Sequence, residues 1–154
     1  KAPTIYHHFR DKTGLIDALL EERFADLLAR LKLVPRDMQP ERYLRELARA
    51  FVEFGIQNPS HYALVTAPRL ESGDLLPSAE AARALVFDAL SEVAERGQLR
   101  TPDLEAAFQL TWAVLHGMVS LRISRPEYAW SESLVELALD VIERGLFAKE
   151  CRAS

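Results

Sequence analysis

Apolar residues recur at steps of three or four along nearly the whole chain, and no stretch alternates apolar and polar residues with period two. The first spacing follows the 3.6-residue turn of an α-helix, whereas period two would indicate a β-strand. Glycine and proline are sparse, at 6 and 8 of 154 residues, so few positions interrupt the repeats. An all-α fold is therefore predicted.

Prolines and capping residues divide this pattern into helices. The first should run from Asp11, whose carboxylate can accept from the free amides of the first turn, to about Leu33. Proline suits the first position of a helix because the N–H that it lacks would have no partner there. Further helices are predicted to begin at Pro40, at Asn58-Pro59, near Ser78, at Thr101-Pro102 and at Ser131. Gly97 is expected to close the helix that begins near Ser78.

The last two predicted helices, 102–124 and 131–149, are apolar on more than one side. One apolar stripe of each helix can face the core, whereas the second needs another partner, because a large exposed apolar patch is a liability in a soluble protein. We expect that partner to be a second copy of the chain, so that two helices from each subunit form an antiparallel four-helix interface. A monomer that buries both helices centrally is the alternative.

The charge is distributed unevenly along the chain. The net charge is −4, which argues against a protein that coats nucleic acid along its whole surface. Three basic residues against Asp11 give residues 1–12 a charge of +2, so residues 13–154 carry −6. A basic tip on an acidic body suits a protein that touches DNA at one end, although so few basic residues could also mean little.

Cysteine content and hydropathy bear on the compartment. The single cysteine, Cys151, cannot form an internal disulfide, which fits a reducing cytoplasm. No apolar run approaches the roughly 18 residues that a membrane span requires, so a membrane partner is not expected.

The first fifteen residues carry the most specific motif. The run Thr4-Ile5-Tyr6-His7-His8-Phe9, followed by Lys12 and Leu15, resembles the DNA-reading segment of TetR-family (tetracycline-repressor-like) transcription regulators. In that family this short helix is the recognition helix of a helix-turn-helix. A complete helix-turn-helix also needs a first helix and a scaffold helix, so we expect some tens of residues to precede Lys1.

Two further segments are similar to one class of TetR-family C-terminal domain. Trp112, His116 and Gly117 match its Trp-His-Gly feature, and Asn58-Pro59 with Tyr62 matches a turn that joins two helices. The resemblance implies a partial DNA-binding domain in residues 1–33 and an effector-binding and dimerisation domain in residues 40–150. In the family, N-terminal helices bind an operator as a dimer, and an effector in the C-terminal domain releases the DNA.

The resemblance also implies two sets of site residues. Contacts to operator DNA would come from Ala2, Pro3, Thr4, Tyr6, His7, His8 and Lys12. A pocket for a small, largely apolar effector could be lined by Phe51, Phe54, Tyr62, Phe87, Phe108, Trp112 and His116. The same rings could instead be ordinary core, and His116 could hydrogen-bond either an effector or a neighbouring helix. Adjacent His7 and His8 point about 100° apart on a helix and no Cys or carboxylate cluster completes a site, so no metal or other cofactor is predicted.

The sequence therefore favours a DNA-binding regulator, most often a repressor, that an effector releases from its operator. A helical ligand-binding or protein-interaction module without DNA binding is the alternative. No nucleophile–base arrangement, glycine-rich phosphate loop or paired inward carboxylates can be assembled from the chain. An enzyme, which would have to use a group such as His116 as its base, is not predicted.

Overall fold

The computed structural model describes residues 12–66 and 75–148, with side chains from Gly14 onward. Within these ranges the backbone forms helices, with no strand beyond an isolated antiparallel bridge between Leu99 and Phe147. The helices are α1 (Lys12–Lys32), α2 (Pro40–Gln57), α3 (Pro59–Val65), α4 (Pro77–Glu95), α5 (Leu104–Ser124) and α6 (Leu134–Leu146). The all-α prediction is confirmed.

Local stereochemistry sets several of the helix ends. Proline occupies the first turn of α2, α3 and α4, as expected for a residue without a backbone donor. Gly97 follows α4 with φ of 67°, a left-handed conformation that glycine adopts without strain. Its N–H donates to the Ala94 carbonyl at 2.9 Å, and the Gln98 N–H donates to the Val93 carbonyl at 3.1 Å. These two bonds form a Schellman motif, which confirms the predicted stop at Gly97.

Three predicted helix starts are displaced. Helix α5 begins at Leu104 instead of Pro102, because the Asp103 carboxylate caps it by accepting from the Ala106 N–H at 3.0 Å. The Thr101 hydroxyl accepts from the Asp103 N–H instead, at 3.2 Å, so it supports the turn before the helix.

Helix α6 begins at Leu134 with Ser133 as its N-cap, not at the predicted Ser131, and it ends at Leu146. The Ser131 hydroxyl instead lies 2.9 Å from the Ser133 hydroxyl, in the preceding turn. Helix α4 begins one residue before Ser78, and the predicted cap at Asp11 lies outside the described residues.

Helix α2 is the centre of the body and packs against all the other described helices. One group of buried side chains joins α2 to α4, α5 and α6, with Val52, Leu90 and Val119 among its members. A second group joins α2 to α1 and α4, and it includes Leu27 and Leu31 of α1. Burial of these side chains from water is the main force holding α1 on the body.

Ion pairs fix the orientation of α6 on α2. The Arg45 guanidinium lies 2.8 Å from a Glu136 oxygen, 2.9 Å from Asp140 and 2.9 Å from Glu143. Hydrogen bonds from Arg45, the larger contribution, and from Arg49 hold the pKa of Glu136 below its ordinary value. Because the acidic side of α6 faces α2, its opposite side is turned outward.

Apolar side chains remain exposed on the outer faces of the last two helices. Leu110 and Leu121 of α5 are 49% and 52% exposed, and Leu137 and Val141 of α6 are 59% and 60% exposed. None of the helices in the described ranges is both long enough and apolar enough to cross a membrane.

Candidate functional site

A cavity of about 350 Å³, partly open to solvent, lies between the helices of the body. Its lining comes from Phe24, Leu27 and Leu31 of α1, Leu44, Leu47, Ala48 and Phe51 of α2, Val65 and Thr66 at the end of α3, Leu75 just before α4, Ala79, Ala82, Arg83, Val86 and Leu90 of α4, Phe108, Thr111, Trp112 and Leu115 of α5, and Ile142, Leu146 and Phe147 at the end of α6. The size lies in the range of small-molecule sites, which are typically concave and mostly apolar.

Three of the predicted aromatic residues line this cavity: Phe51, Phe108 and Trp112. Trp112 is 50% exposed, so its ring covers part of the wall while reaching solvent. Phe87 is outside the lining but supports it, because its ring centroid lies 5.1 Å from that of Phe108. Phe54 is 6% exposed and packs in the group between α1, α2 and α4, and it is not one of the lining residues.

Tyr62 and His116 form a polar pair behind the wall. The Tyr62 hydroxyl is hydrogen-bonded to His116 Nδ1 at 2.7 Å, and His116 Nε2 lies 3.3 Å from the Ser120 hydroxyl. The His116 ring also lies 5.8 Å from Trp112, centroid to centroid. Burial raises the pKa of the Tyr62 hydroxyl, which is therefore neutral at physiological pH. Both ring nitrogens of His116 have partners in the fold, and the imidazole supports Trp112 from behind.

A close approach of backbone positions this pair. A Cβ atom on Gly55 of α2 would lie 2.5 Å from Val119 Cγ1 and 2.8 Å from the Tyr62 ring. No residue with a side chain fits this gap without displacement of its neighbours. The glycine thus lets α3 and α5 approach α2 closely enough for Tyr62 to reach His116.

Sequence reasoning missed the polar members of the wall. Arg83 Nη2 lies 2.5 Å from a Glu105 oxygen, and its Nη1 lies 3.9 Å from Glu80. The guanidinium carbon also lies 4.0 Å from the centre of the Phe87 ring, within the range of a cation–π contact. Helical spacing could have indicated this position, since Arg83 lies one turn from Val86, an apolar residue that also lines the cavity.

The two threonines of the wall bond to their own helices. The Thr66 hydroxyl donates to the Tyr62 carbonyl at 2.8 Å, and the Thr111 hydroxyl donates to the Ala107 carbonyl at 2.9 Å. Each hydroxyl carries one hydrogen, so neither has a second hydrogen to donate to a ligand.

Helix α3 also contacts α1 through charged groups. His61 Nε2 lies 3.3 Å from Arg23 Nη1, and His61 Nδ1 lies 3.7 Å from an Asp26 oxygen. Arg23 and Asp26 themselves form an ion pair at 3.0 Å. Consecutive residues of α3, His61 and Tyr62, therefore connect α1 on one side with the residues behind the cavity on the other.

The predicted DNA-contacting residues Ala2, Pro3, Thr4, Tyr6, His7 and His8 lie outside the described residues. Lys12 is the first residue of α1. For Lys12 itself, the structure describes the backbone and not the side chain. Within the described ranges, no three or more His, Cys, Asp or Glu side chains are grouped so that they could hold a metal ion.

Several solved structures resemble this fold. A protein of unknown function from Rhodococcus sp. RHA1 is 26% identical and matches over 90% of this chain and 75% of its own, with a TM-score of 0.75. A candidate TetR family transcription regulator from Shewanella sp. PV-4 has the same TM-score, 0.75, over 95% of this chain and 80% of its own; at 12% identity it shows a shared fold.

No curated protein matches the sequence. Residues 44–143 match the model of the tetracyclin repressor-like C-terminal domain. The match covers most of α2, all of α3 to α5 and most of α6, the elements that together with α1 contribute the described wall of the cavity. The chain therefore belongs to the TetR family.

Proposed function

We propose that the protein is a transcriptional repressor that a small, largely apolar effector releases from its operator. The observation that carries the proposal is the position of the cavity. Its wall includes Phe24, Leu27 and Leu31 of α1, and it also includes α5 and α6, whose outer faces are apolar and exposed. A ligand there would contact both the helix that follows the recognition motif and the two helices expected to form the dimer.

The DNA-binding part rests on residues 1–33. The TetR-like motif at residues 4–9 precedes α1 directly, and α1 is 21 residues long. At 1.5 Å per residue the helix spans about 30 Å, enough to connect a DNA-binding head with the body. Operator contacts are assigned to Ala2, Pro3, Thr4, Tyr6, His7, His8 and Lys12, with Lys12 beside a phosphate at the start of α1.

Effector binding would act by favouring one position of α1 over another. A ligand changes a conformational equilibrium only if it binds the two conformations with different affinity. Because α1 forms part of the cavity wall, a tilt of α1 changes the space available to the ligand. In a dimer, the same tilt would change the separation of the two recognition helices, and with it the fit to two operator half-sites.

The homodimer is assigned to α5 and α6. The exposed stripe on α5 contains Leu110 and Leu121 with small residues between them, and the stripe on α6 contains Leu137 and Val141. Exposed apolar area of this kind is typical of an interface. Residues 40–150 would thus be the effector-binding and dimerisation domain.

We assign no catalysis to the cavity. Its described lining contains no carboxylate, imidazole or thiol, and the two hydroxyl groups donate to backbone carbonyls without a general base beside them. The cavity therefore offers a ligand packing surface rather than a nucleophile or a proton acceptor.

The test is DNA binding by the protein expressed from the complete reading frame that contains this chain. We expect selection from random duplexes to return a palindromic operator, with affinity that falls steeply as salt increases. A ligand that binds the cavity should weaken operator binding, and Leu115→Trp, which fills the cavity, should remove that response. If the protein binds a ligand but shows no preference for any DNA sequence, it is instead a helical ligand-binding or protein-interaction module.

A further inference from the structure

We infer that the cavity selects uncharged apolar ligands, and that the Arg83–Glu105 pair determines this specificity. The inference rests on the proposed function, because it names the chemical class of the effector that the cavity would take. It excludes two common alternatives, amphiphilic carboxylates and amphiphilic cations.

The described wall of the cavity is almost entirely apolar. Of the described residues that line the cavity, all except Thr66, Arg83 and Thr111 are aliphatic or aromatic. Transferring a charged group from water to such a wall is costly unless a partner of opposite charge receives it. The charge that a ligand can carry therefore depends on what these three residues offer.

The threonines offer little to a carboxylate. Each hydroxyl already donates its hydrogen to a helix carbonyl, Thr66 to Tyr62 and Thr111 to Ala107. What remains on each oxygen is accepting capacity. A ligand hydroxyl can donate to these oxygens, whereas a carboxylate, which only accepts, finds no hydrogen there.

Arg83 has the right charge for an acid, but it is already neutralised. Its guanidinium is paired with Glu105 at 2.5 Å and lies 3.9 Å from Glu80, so one positive charge faces two negative ones. The Phe87 ring covers it at 4.0 Å. A carboxylate at this position would have to displace Glu105 or join a group that is already negative.

A cationic ligand has no better partner. Glu80 and Glu105 are outside the lining of the cavity, with side chains 57% and 48% exposed, and both are engaged by Arg83. Among the described lining residues, the charged one that a cation would meet is Arg83, which is itself positive. An uncharged ligand avoids both penalties.

The volume sets the size of that ligand. Liquid water occupies about 30 Å³ per molecule, so about a dozen non-hydrogen atoms would fill the space. A medium-chain alcohol has this size, an apolar chain, and one hydroxyl that can donate to Thr66 or Thr111.

The test compares ligands that differ in their head group alone. The uncharged fluorophore 1-naphthylamine, whose number of non-hydrogen atoms matches that estimate, is bound first, and 1-decanol, decanoate and decylammonium are then titrated at neutral pH to displace it. We expect decanol to displace the probe at a concentration at least about ten-fold lower than either ion. Equal or tighter binding of decanoate or decylammonium would overturn the inference.

Glu105→Gln tests the role of the ion pair. It removes a carboxylate that competes for Arg83, so decanoate should bind about three-fold more tightly while decanol is unchanged. Glu95→Gln is the matched control: it changes the net charge equally, but it lies twelve residues from Arg83 along α4, about 18 Å. An unchanged decanoate affinity in Glu105→Gln would show that the pair does not set specificity.

The charge-neutral double variant Arg83→Met with Glu105→Gln gives an independent test. If Arg83 is unavailable to ligands in the wild type, removing both partners should leave decanoate binding unchanged. A clear loss of decanoate binding would identify Arg83 as an anchor for acids and overturn the inference, whether or not the single variant folds.

A further variant separates this inference from the proposed function. Ala82 is 9% exposed and lines the cavity, so Ala82→Leu should weaken the fluorophore and decanol together. If no uncharged probe binds the wild type, the effector cavity itself is wrong. If uncharged probes bind and Ala82→Leu lowers their affinity, but acids bind more tightly than they do, the cavity is the binding site and the preference for uncharged ligands is wrong.

Discussion

Gly55 allows three helices to meet where the cavity wall is supported. A Cβ atom there would overlap with Val119 Cγ1 at 2.5 Å and with the Tyr62 ring at 2.8 Å. Val119 is 0% exposed and Tyr62 is 2% exposed, so neither has free space into which it could move. The spacing of α2, α3 and α5 thus depends on the absence of one methyl group.

Gly55→Ala should lower the free energy of unfolding by about 1–3 kcal/mol, because the inserted methyl group overpacks the core. Gly145→Ala is the control, since a Cβ at this second helical glycine would contact nothing within 4 Å. It should be neutral or gain about 0.5 kcal/mol from helix propensity. Urea denaturation of both variants measures the difference. Equal stabilities for the two variants would mean that the junction is loosely packed.

The Tyr62 hydroxyl contributes to the same junction through its hydrogen bond to His116, at 2.7 Å. Tyr62→Phe keeps the ring but leaves His116 Nδ1 without this partner, so it should cost about 1–2 kcal/mol. Since His116 supports Trp112 from behind, binding of an uncharged fluorophore should weaken as well. A variant with unchanged stability and binding would contradict this role.

The pKa of Tyr62 adds a pH dependence. Burial raises the folded-state pKa above the ordinary value of 10.0, so the folded state keeps its proton while the unfolded state loses it. The contribution of Tyr62 is therefore complete below pH 10 and is lost progressively as the pH rises above it. The stability difference between wild type and Tyr62→Phe, measured in urea at about pH 9 and about pH 11, should narrow by about 1 kcal/mol.

At the scale of elements, some helix ends are determined by a single residue, whereas at others two nearby residues could each serve as the cap. Pro40, Pro59 and Gly97 determine their helix ends by their own backbone preferences, and the sequence was sufficient to predict them. Thr101 and Asp103, or Ser131 and Ser133, are two possible caps two residues apart. The choice between them depends on how the helix packs, which a sequence pattern does not contain.

The candidate site was predictable to a similar degree. Periodicity identifies residues that face inward, and it selected the lining residues Phe51, Phe108 and Trp112 together with residues such as Phe54, which is buried but does not line the cavity. Whether an inward side chain meets a cavity or another side chain depends on the relative position of several helices. Because the predicted site consisted of aromatic residues and His116, it did not include the aliphatic lining residues or Arg83.

Helix α6 is held in place by charge as well as by its buried face. Arg45 is 17% exposed and contacts three carboxylates of α6, so Arg45→Met should cost about 1–2 kcal/mol. Arg144→Met is the control, because Arg144 is 80% exposed and 3.9 Å from Asp140; it should change stability by less than about 0.5 kcal/mol.

The cost of Arg45→Met should depend on pH. The pKa of Glu136 is held below its ordinary value of 4.5, so the stabilisation is present above that pH and is lost as the pH falls through the folded-state value. The difference between wild type and Arg45→Met in thermal or urea unfolding should therefore shrink at about pH 3. A difference that stays constant from neutral pH to pH 3 would mean that packing of the arginine stem, and not its ion pairs, stabilises α6.

At the scale of the whole molecule, the cavity lies between the part assigned to DNA and the part assigned to the dimer. Helix α1 contributes Leu27 and Leu31 to its wall, and α5 contributes Phe108 and Leu115. Helix α3 provides a second connection, since His61 contacts α1 and the adjacent Tyr62 contacts α5. A ligand that fills the cavity would therefore act on α1 directly and through α3, provided that α5 and α6 are held by a partner subunit.

The dimer can be tested by placing charge on the exposed apolar face. Leu137→Glu combined with Val141→Glu introduces two carboxylates on this face. Leu137 is 59% exposed and Val141 is 60% exposed in the single subunit, so the monomer should fold normally. At an interface the same carboxylates would be buried without a partner, and the dimer should dissociate. Leu33→Glu is the control, because Leu33 is 72% exposed but follows α1, away from α5 and α6.

Light scattering after size-exclusion chromatography should give the mass of a dimer for the wild type and for Leu33→Glu, and of a monomer for the double variant. The monomer should retain ligand binding, because no cavity-lining residue is changed, yet lose most of its operator affinity, since two half-sites are no longer bound by one particle. A double variant that stays dimeric would exclude this face of α6 from the interface. A monomer that also loses ligand binding would show that the partner subunit completes the cavity.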